Sequence, residues 1–572
     1  MSLVSRVRVN FAPALRPAGP YGREGLRDDV TAGIILTALL VPAGMAYAEV
    51  SGLPVVSGLH ATIAGLVVYA LVGPSRILVL GPDSSLAPII GAAIIPLAAG
   101  DSAQALALAG LLAILVGLIL IAGGLLRVGM VTDLLSKPIR VGYLNGIALV
   151  VIVGQLPKLF GFSVSGDGLI DDFAGFVEGL GDGEVNTAAA VLGVSALVII
   201  LGLRWRSPRL PGLLIAVVGA SLIVWLGGLE EVPVVGALPS GLPGPALDGL
   251  EWSDVLSLLP AAAGIALVAF ADTSVLSRAF AAKEEEDINE NWEMGATGAA
   301  NVGCGLFGGF PISGSSSRTP VAQQSGARTQ LAGLVGAACV ALLIVFAPGL
   351  TEYLPSSVLA AVVIAAVMSL ADIPTVVGLW RMRRSEFVMS MAAFVGVALF
   401  GVLEGIGVAV VLSLVAFVVK AWRPHTAELV RIDGRKGYHD LSRNPRGRRI
   451  PGLIILRFDA PIFFANSAEF SRFVREAVNA SPEAVEWIIL AAEPITDVDI
   501  TARDVLLELV RDSREHGLHL VFAGLKGPVR DRFARYGVID ELGKDRFFPT
   551  IGTAVSAYLR ATDTSWVDWT DR

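Results

Sequence analysis

Long apolar runs separated by short polar breaks fill the first three-quarters of the chain. A bilayer's hydrocarbon core calls for ~17–25 mainly apolar residues per helical span. The pattern predicts such spans near 29–50, 56–73, 102–124, 134–158, 187–204, 211–228, 253–281, 328–348, 357–371, 386–403 and 404–421. Weaker or shorter segments lie near 83–99, 293–308, 313–326 and 373–380, which brings the total to about fourteen. Past residue 450 the pattern changes. Residues 452–457, 486–491 and 519–522 read as buried strands, and 467–478, 501–516 and 527–536 read as helices between or after them. Alternating strands and helices imply an α/β sheet covered by helices.

Charge marks the boundary. Between residues 30 and 100 the only charged residues are Glu49, Arg76 and Asp83, whereas eleven lie between 422 and 450. The expected organisation is an N-terminal arm over 1–27 and a transmembrane domain over 28–421, with repeats at about 28–228 and 253–421. A basic linker over 422–449, a soluble domain over 450–560 and a tail over 561–572 follow. The arm lacks the short apolar core and cleavage site of a signal peptide. Segments 166–185 and 229–254 hold acids and no Lys or Arg, while Arg204, Arg206 and Arg209 cluster between two spans, as do Arg381, Arg383 and Arg384. The positive-inside rule puts those arginines, both termini and the soluble domain in the cytoplasm of a protein of the plasma (inner) membrane.

Composition adds exclusions. The chain has 572 residues, is 54% hydrophobic and only 16% charged, and has a mean hydropathy of +0.69. A soluble domain usually has about 25% charged residues. The net charge of −8 offers no basic excess for a nucleic acid. The 64 glycines with only 7% aromatics suit closely packed membrane helices. Two cysteines, Cys304 and Cys339, both in apolar stretches, make neither a disulfide framework nor a zinc site. No nucleophile–base pair, phosphate loop or metal spacing points to an enzyme, and no cofactor is expected.

Two short segments carry the candidate chemistry. Residues 78–88 read Leu-Val-Leu-Gly-Pro-Asp-Ser-Ser-Leu-Ala-Pro, and residues 308–320 read Gly-Gly-Phe-Pro-Ile-Ser-Gly-Ser-Ser-Ser-Arg-Thr-Pro. Each has a Gly/Pro stretch, then small hydroxyl residues, then a short helical run. Each begins some fifty to sixty residues into its half of the chain. Paired interrupted segments of this kind point to a transporter site near the bilayer midplane. Non-helical backbone there requires cover from protein or a water-filled cavity. A helix N-terminus carries unpaired N–H groups and roughly half a positive charge, so two facing starts favour an anion. Ser84, Ser85, Ser315, Ser316 and Ser317 can cap the helices or donate to substrate oxygens, and Arg318 adds a full charge.

Acids inside the apolar part are few. Asp272 is a lone intramembrane carboxylate and thus a functional candidate, for proton or cation coupling. Asp83 at the mouth of the first broken segment reads either as a helix cap or as a coupling group. Glu49 reads as a rim charge, His60 as a polar contact, and Glu284–Asp287 with Glu290 as a solvated loop.

Taken together, these residues resemble the SulP (solute carrier 26) family of anion transporters. Val41-Pro-Ala-Gly-Met-Ala-Tyr-Ala48 is similar to the family's first-span motif and Gly81-Pro-Asp-Ser-Ser85 to the start of its third span. Phe310–Thr319 and Ser325-Gly-Ala-Arg-Thr-Gln330 are similar to its tenth-span region. The resemblance implies a polytopic helical fold of about fourteen spans as a 7+7 inverted repeat, uracil-transporter-like, with a core part that carries substrate and a scaffold part. It puts the anion between the third and tenth spans, with Tyr47, Pro82, Ser317 and Arg318 at matching site positions. Ala43 stands where the family usually has Gln, which removes one polar contact. Relatives often carry an acid just before Ser-Leu-Leu in the eighth span. Matched to Ser274-Val-Leu276, that position holds Thr273, with Asp272 one residue earlier, so Asp272, Thr273, Ser277 and Asp83 are the coupling candidates.

The soluble part resembles the STAS domain. Its relatives among anti-sigma-factor antagonists carry Asp-Ser-Ser-Gly with a phosphorylated Ser. Here the match is Asp499-Ile-Thr-Ala502, and Ile500 cannot accept phosphate. A docking or dimerising domain is therefore expected, with a homodimer and a cytoplasmic protein partner as implied assemblies. The expected activity is secondary active transport of sulfate, bicarbonate or a dicarboxylate, coupled to H⁺ or Na⁺, by elevator-like alternating access. An uncoupled exchanger or channel on the same fold, or a nucleobase permease, is the alternative.

Overall fold

A computed structural model describes the chain except residues 1–11, 18–20, 130–135, 165–167, 208–210, 240, 242–243, 246, 284–287, 563 and 572. It divides into two compact units, residues 1–413 and 414–572.

The first unit is helical. Its elements are α1 (Arg23–Val50), α2 (Val55–Val72), β1 (Leu80–Gly81), α3 (Ala87–Ala98), α4 (Ser102–Leu126), α5 (Lys137–Leu159), α6 (Leu169–Asp182), α7 (Thr187–Arg206) and α8 (Gly212–Gly227). The second half follows with α9 (Trp252–Lys283), α10 (Glu290–Leu306), β2 (Ser313–Gly314), α11 (Arg318–Gln324), α12 (Leu331–Phe346), α13 (Ser356–Val367), α14 (Ile373–Met382), α15 (Arg384–Phe400) and α16 (Val402–Trp422), whose residues from 414 on fall in the second unit. Among the described residues, seven helices are long and apolar enough to cross a membrane: α1, α2, α4, α5, α7, α9 and α16. Four more (α3, α8, α12 and α13) are apolar but shorter.

The order of elements repeats. Two helices, a two-residue strand, a short helix and a longer helix run from α1 to α4 and again from α9 to α12. β1 and β2 pair antiparallel, Leu80 with Gly314 and Gly81 with Ser313, so the two repeats run in opposite directions where they meet. Packing sorts the helices into two groups. α1, α2 and α4 pack with α9, α10 and α12, while α5, α7 and α8 pack with α13 and α15. Small residues set the closest crossings. A Cβ at Gly117 of α4 would come 2.6 Å from the Gly298 carbonyl of α10, and the reverse holds at the same distance. Only hydrogen side chains permit that approach.

Two sequence expectations change here. The acidic segment 166–185, which falls between the expected spans, contains α6. Its apolar positions are interleaved with Asp171, Asp172, Glu178 and Asp182, so hydropathy averages out while helical periodicity remains. The span 313–326 is reduced to β2 and the seven-residue α11, because Pro311 and Gly314 interrupt the helix before Arg318.

The second unit holds β3 (Thr426–Arg431), β4 (Tyr438–Asp440), β5 (Leu453–Phe458), α17 (Ser467–Asn479), β6 (Trp487–Ala491), α18 (Ile500–Glu515), β7 (His519–Ala523), α19 (Gly527–Arg535), α20 (Val538–Leu542), β8 (Phe547–Phe548) and α21 (Ile551–Ala561). The six strands form one sheet in the order β4-β3-β5-β6-β7-β8, with β5 to β8 parallel. Ile454, Leu456 and Leu490 face one core with Phe470, Leu506 and Phe533, and Ile455, Ile489 and Val521 face another with Val555 and Tyr558. The expected linker over 422–449 is not a linker. It supplies β3 and β4, whose alternation was masked by Arg431, Arg435 and Lys436. Nor is the tail loose. Asp568 takes two hydrogen bonds from Arg431, at 2.8 and 3.0 Å, and Arg448 sits 4.3 Å from the centre of the Trp566 ring.

Candidate functional site

The site forms where the two broken segments cross. Each is held by side chains from distant parts of the chain. Asn301 of α10 grips the backbone of Ile312 on both sides, accepting from its N–H at 2.9 Å and donating to its carbonyl at 3.1 Å. Thr319 accepts from the Val79 N–H at 3.1 Å, and the Ser315 N–H donates to the Val79 carbonyl at 3.0 Å. Gln330 donates to the carbonyls of Ser75 and Leu78 at 3.0 and 2.7 Å. Buried extended backbone needs such partners, since no water is at hand to replace them.

Arg318 opens α11 and turns back across the strand pair. It is 2% exposed. Its Nε donates to Ser315 Oγ at 2.9 Å and its Nη2 donates to the Pro82 carbonyl. Nη1 is buried and has no hydrogen-bond partner among the described residues. It lies against Gly81, where a Cβ would come within 3.0 Å of it. Ser313 is the register partner of Gly81, and residues directly opposite in a ladder share a face. Ser313 Oγ is likewise buried without a partner. Two donors on one face, one of them cationic, thus converge beside the strand crossing. α11 is two turns long, so the positive charge at that end is mainly the Arg318 guanidinium rather than a helix dipole.

The remaining candidates distribute around this point. Ser316 and Ser317 are exposed, while Ser84, Ser85 and Ser315 are buried. Tyr47 of α1 packs with Ala43 against Ala87, the first residue of α3. Asp83 Oδ1 accepts from the Ser85 N–H at 3.0 Å, as a residue entering a helix does, and also lies 2.9 Å from the Ser85 hydroxyl. That hydroxyl is 2.8 Å from Asp272 Oδ2. Thr273 instead accepts from the Gly314 N–H at 2.9 Å and donates to the Ala269 carbonyl. Ser277 donates to the Ser274 carbonyl at 3.2 Å. The eighth-span register is therefore explicit: Asp272 meets the first broken segment and Thr273 the second. Glu49 pairs with Lys158 at 3.1 Å, and Glu290 with Arg278 at 3.1 Å. His60 Nε2 is buried without a partner among the described residues. Cys304 is buried with its Sγ 3.3 Å from the Ala61 carbonyl. Glu284–Asp287 and Arg209 lie outside the described residues.

Sequence reasoning did not find Asn301, Thr319, Gln330 or Ser313. The first three act on backbone, and Ser313 stands out only through the strand register.

Residues 26–393 match the sulfate permease family. The chain belongs to that family. Residues 444–554 match the STAS domain. A probable sulfate transporter of Mycobacterium tuberculosis is 39% identical to this permease over 552 residues, 96% of this chain and 98% of that protein. Sulfate transporter 3.1 of Arabidopsis thaliana is 30% identical over 578 residues, 96% of this chain and 87% of that protein. In fold, the permease is similar to the solved structure of SLC26A9, with a TM-score of 0.87 at 21% identity over 95% of this chain and 91% of that one. It is also similar to the transmembrane domain of the bicarbonate transporter BicA of a cyanobacterium, with a TM-score of 0.59 at 24% identity over 69% of this chain and 98% of that one. The permease is a multi-pass membrane anion transporter with a STAS domain, and not an enzyme. In its STAS domain Asp499 caps α18, accepting from the Ala502 N–H at 2.8 Å, and Ile500 beside it stands 66% exposed.

Proposed function

We propose that this permease carries sulfate, bicarbonate or a small dicarboxylate by secondary active transport. The observation that carries the reading is the Arg318 guanidinium, buried with Nη1 free and aimed beside Gly81 and Ser313. Asp83 lies close enough to offset part of the Arg318 charge, but a buried donor left without an acceptor is costly, and an oxyanion seated there would accept from Nη1 and Ser313 Oγ. The exposed hydroxyls of Ser316 and Ser317 lie at the mouth of the same segment. The kinship with sulfate transporters favours sulfate, and the likeness to the bicarbonate transporter BicA favours bicarbonate.

Coupling to H⁺ or Na⁺ is assigned to the Asp272–Ser85–Asp83 array. One hydroxyl proton stands between two carboxylates there, with Arg318 acting on Asp83 and Arg140 on Asp272, and a bound proton or sodium ion would bridge the two acids. Movement is elevator-like: the group built on α1–α4 and α9–α12 carries the site past the group built on α5, α7, α8, α13 and α15. An apolar cavity of about 540 Å³ lies against both groups, lined by Val41 and Met45 of α1 and Val217 and Leu222 of α8. Apolar surfaces without directional bonds suit sliding. By the positive-inside rule, the arginines at the ends of α7 and α14 favour a cytoplasmic side for those ends, both termini and the STAS domain, in a permease of the plasma membrane. A homodimer and a protein partner for the STAS domain follow from the family resemblance.

Uptake of labelled sulfate, bicarbonate and succinate into proteoliposomes, with H⁺ or Na⁺ gradients imposed separately, tests the reading. Accumulation of one of these anions driven by one gradient supports it. Exchange that ignores both gradients selects the uncoupled alternative, and uptake of uracil with none of the anions overturns the substrate class.

A further inference from the structure

The arginines around the α14–α15 junction take no part in the anion site. Arg381 lies in the last turn of α14, and Arg383 and Arg384 open α15; all three are exposed. Arg383 pairs with Glu386 at 3.1 Å. Neither Arg381 nor Arg384 has a carboxylate partner among the described residues. Asp372, the other nearby acid, is engaged as the cap of α14, accepting from the Thr375 N–H at 3.0 Å.

α14 is amphipathic. Leu379 is buried, while Ile373, Val377 and Trp380, spaced four and three residues apart, form an outward stripe 59%, 45% and 52% exposed. The Arg384 guanidinium lies 5.4 Å from the centre of the Trp380 ring, which meets Phe387 edge-on at 4.9 Å. A further cation stands at the same level. α5 and α15 run side by side in parallel: a Cβ at Gly142 would strike the Ser390 backbone, and one at Gly146 the Phe394 carbonyl. Lys137, five residues before Gly142, is therefore level with the start of α15, and it is exposed.

A short helix with an apolar stripe, a terminal Trp and flanking arginines has the composition of an element lying in the bilayer interface. The start of α15 is level with the first residue of α5, a helix long and apolar enough to cross the membrane, which puts the α14–α15 junction at a membrane boundary. Exposed cations without carboxylate partners among the described residues complement an anionic headgroup at that depth, and the guanidinium fork matches phosphate oxygens. We propose that Trp380, Arg381 and Arg384 form a binding site for an anionic phospholipid headgroup, with Ile373 and Val377 resting on its acyl chains. The site belongs to the helix group of α5, α13 and α15, so the lipid would anchor the stationary part of the transporter.

The test uses the full-length permease in bilayer nanodiscs of equal parts phosphatidylcholine and phosphatidylglycerol, released into detergent for native mass spectrometry. The wild type should retain phosphatidylglycerol in preference to phosphatidylcholine, a comparison that needs no variant. In Arg381→Gln/Arg384→Gln that preference should fall at least about tenfold, and Arg381→Lys/Arg384→Lys should keep most of it. Size-exclusion elution of each variant checks that it is folded. Equal retention of both lipids by the wild type, or unchanged phosphatidylglycerol retention in the Gln variant, would overturn the proposal. So would displacement of the lipid by inorganic phosphate at matched concentration, which would reduce the site to a phosphate site.

Discussion

The Ser85 hydroxyl lies 2.8 Å from the Asp272 carboxylate, joining α9 to the first broken segment across 187 residues of sequence. The same hydroxyl is 2.9 Å from Asp83, so one proton is shared between two acceptors. Replacing Asp272 by Asn removes one of the two charges and supplies its own donor, so the array no longer needs a cation. In Asp272→Asn, uptake under an imposed H⁺ or Na⁺ gradient should fall to the level seen without a gradient, while exchange of the same anion persists. Gradient-driven accumulation equal to wild type would remove Asp272 from coupling.

Gly81 is matched to Arg318 by space. A methyl group at Gly81 would sit 3.0 Å from Nη1 and push the guanidinium off its position. The Gly81 backbone is not in the left-handed region, so conformational strain does not enter. A hydrogen bond to a charged group contributes ~1.5–3 kcal/mol, so Gly81→Ala should raise the KM for the anion about 10- to 100-fold. Initial-rate uptake over a concentration series measures it, with thermal unfolding in detergent expected to change little.

Asn301 holds the backbone of Ile312 by both its donor and its acceptor. Asn301→Ala leaves a buried N–H and a buried carbonyl without partners, at about 1–3 kcal/mol each. Both the unfolding temperature in detergent and anion affinity should fall. A variant with wild-type values of both would show that the second broken segment is held by other contacts.

In the STAS domain, two hydrogen bonds from Arg431, with support from Thr570, hold the Asp568 carboxyl down at about 2. Because its folded value lies below the unfolded one, its contribution is present above about pH 4 and is lost as pH falls toward 2. Asp568→Asn should speed backbone amide exchange over the C-terminal tail at neutral pH. Near pH 2 the variant and the wild type should converge. Equal exchange at neutral pH would mean the tail is held by the Trp566 and Trp569 contacts with Arg448 and Arg431 alone.

Much of this fold was legible because lipid imposes a long, simple pattern. Every long apolar run became a helix, and the two Gly/Pro interruptions became the strand crossing. Arg318, Asp272 and the serines stood out as polar residues in apolar surroundings. What stayed hidden has a physical reason. Asn301, Thr319 and Gln330 act on backbone up to 255 residues away and leave no local trace. Ser313 matters only because it faces Gly81 in the register. α6 carries acids on one side of a helix that averaging conceals, and β3 and β4 look like a linker because they are short and carry Glu428, Arg431, His439 and Asp440 among their apolar residues.

In the proposed transport cycle the buried Arg318 guanidinium holds the anion. Uptake of labelled sulfate into proteoliposomes by wild type, Arg318→Lys and Arg318→Ala, at matched reconstitution and with folding checked by size-exclusion elution, tests it most directly. The expected result is saturable uptake by wild type, a KM raised about tenfold or more in Arg318→Lys, and loss of saturable uptake in Arg318→Ala. Wild-type KM and rate in Arg318→Ala would contradict it.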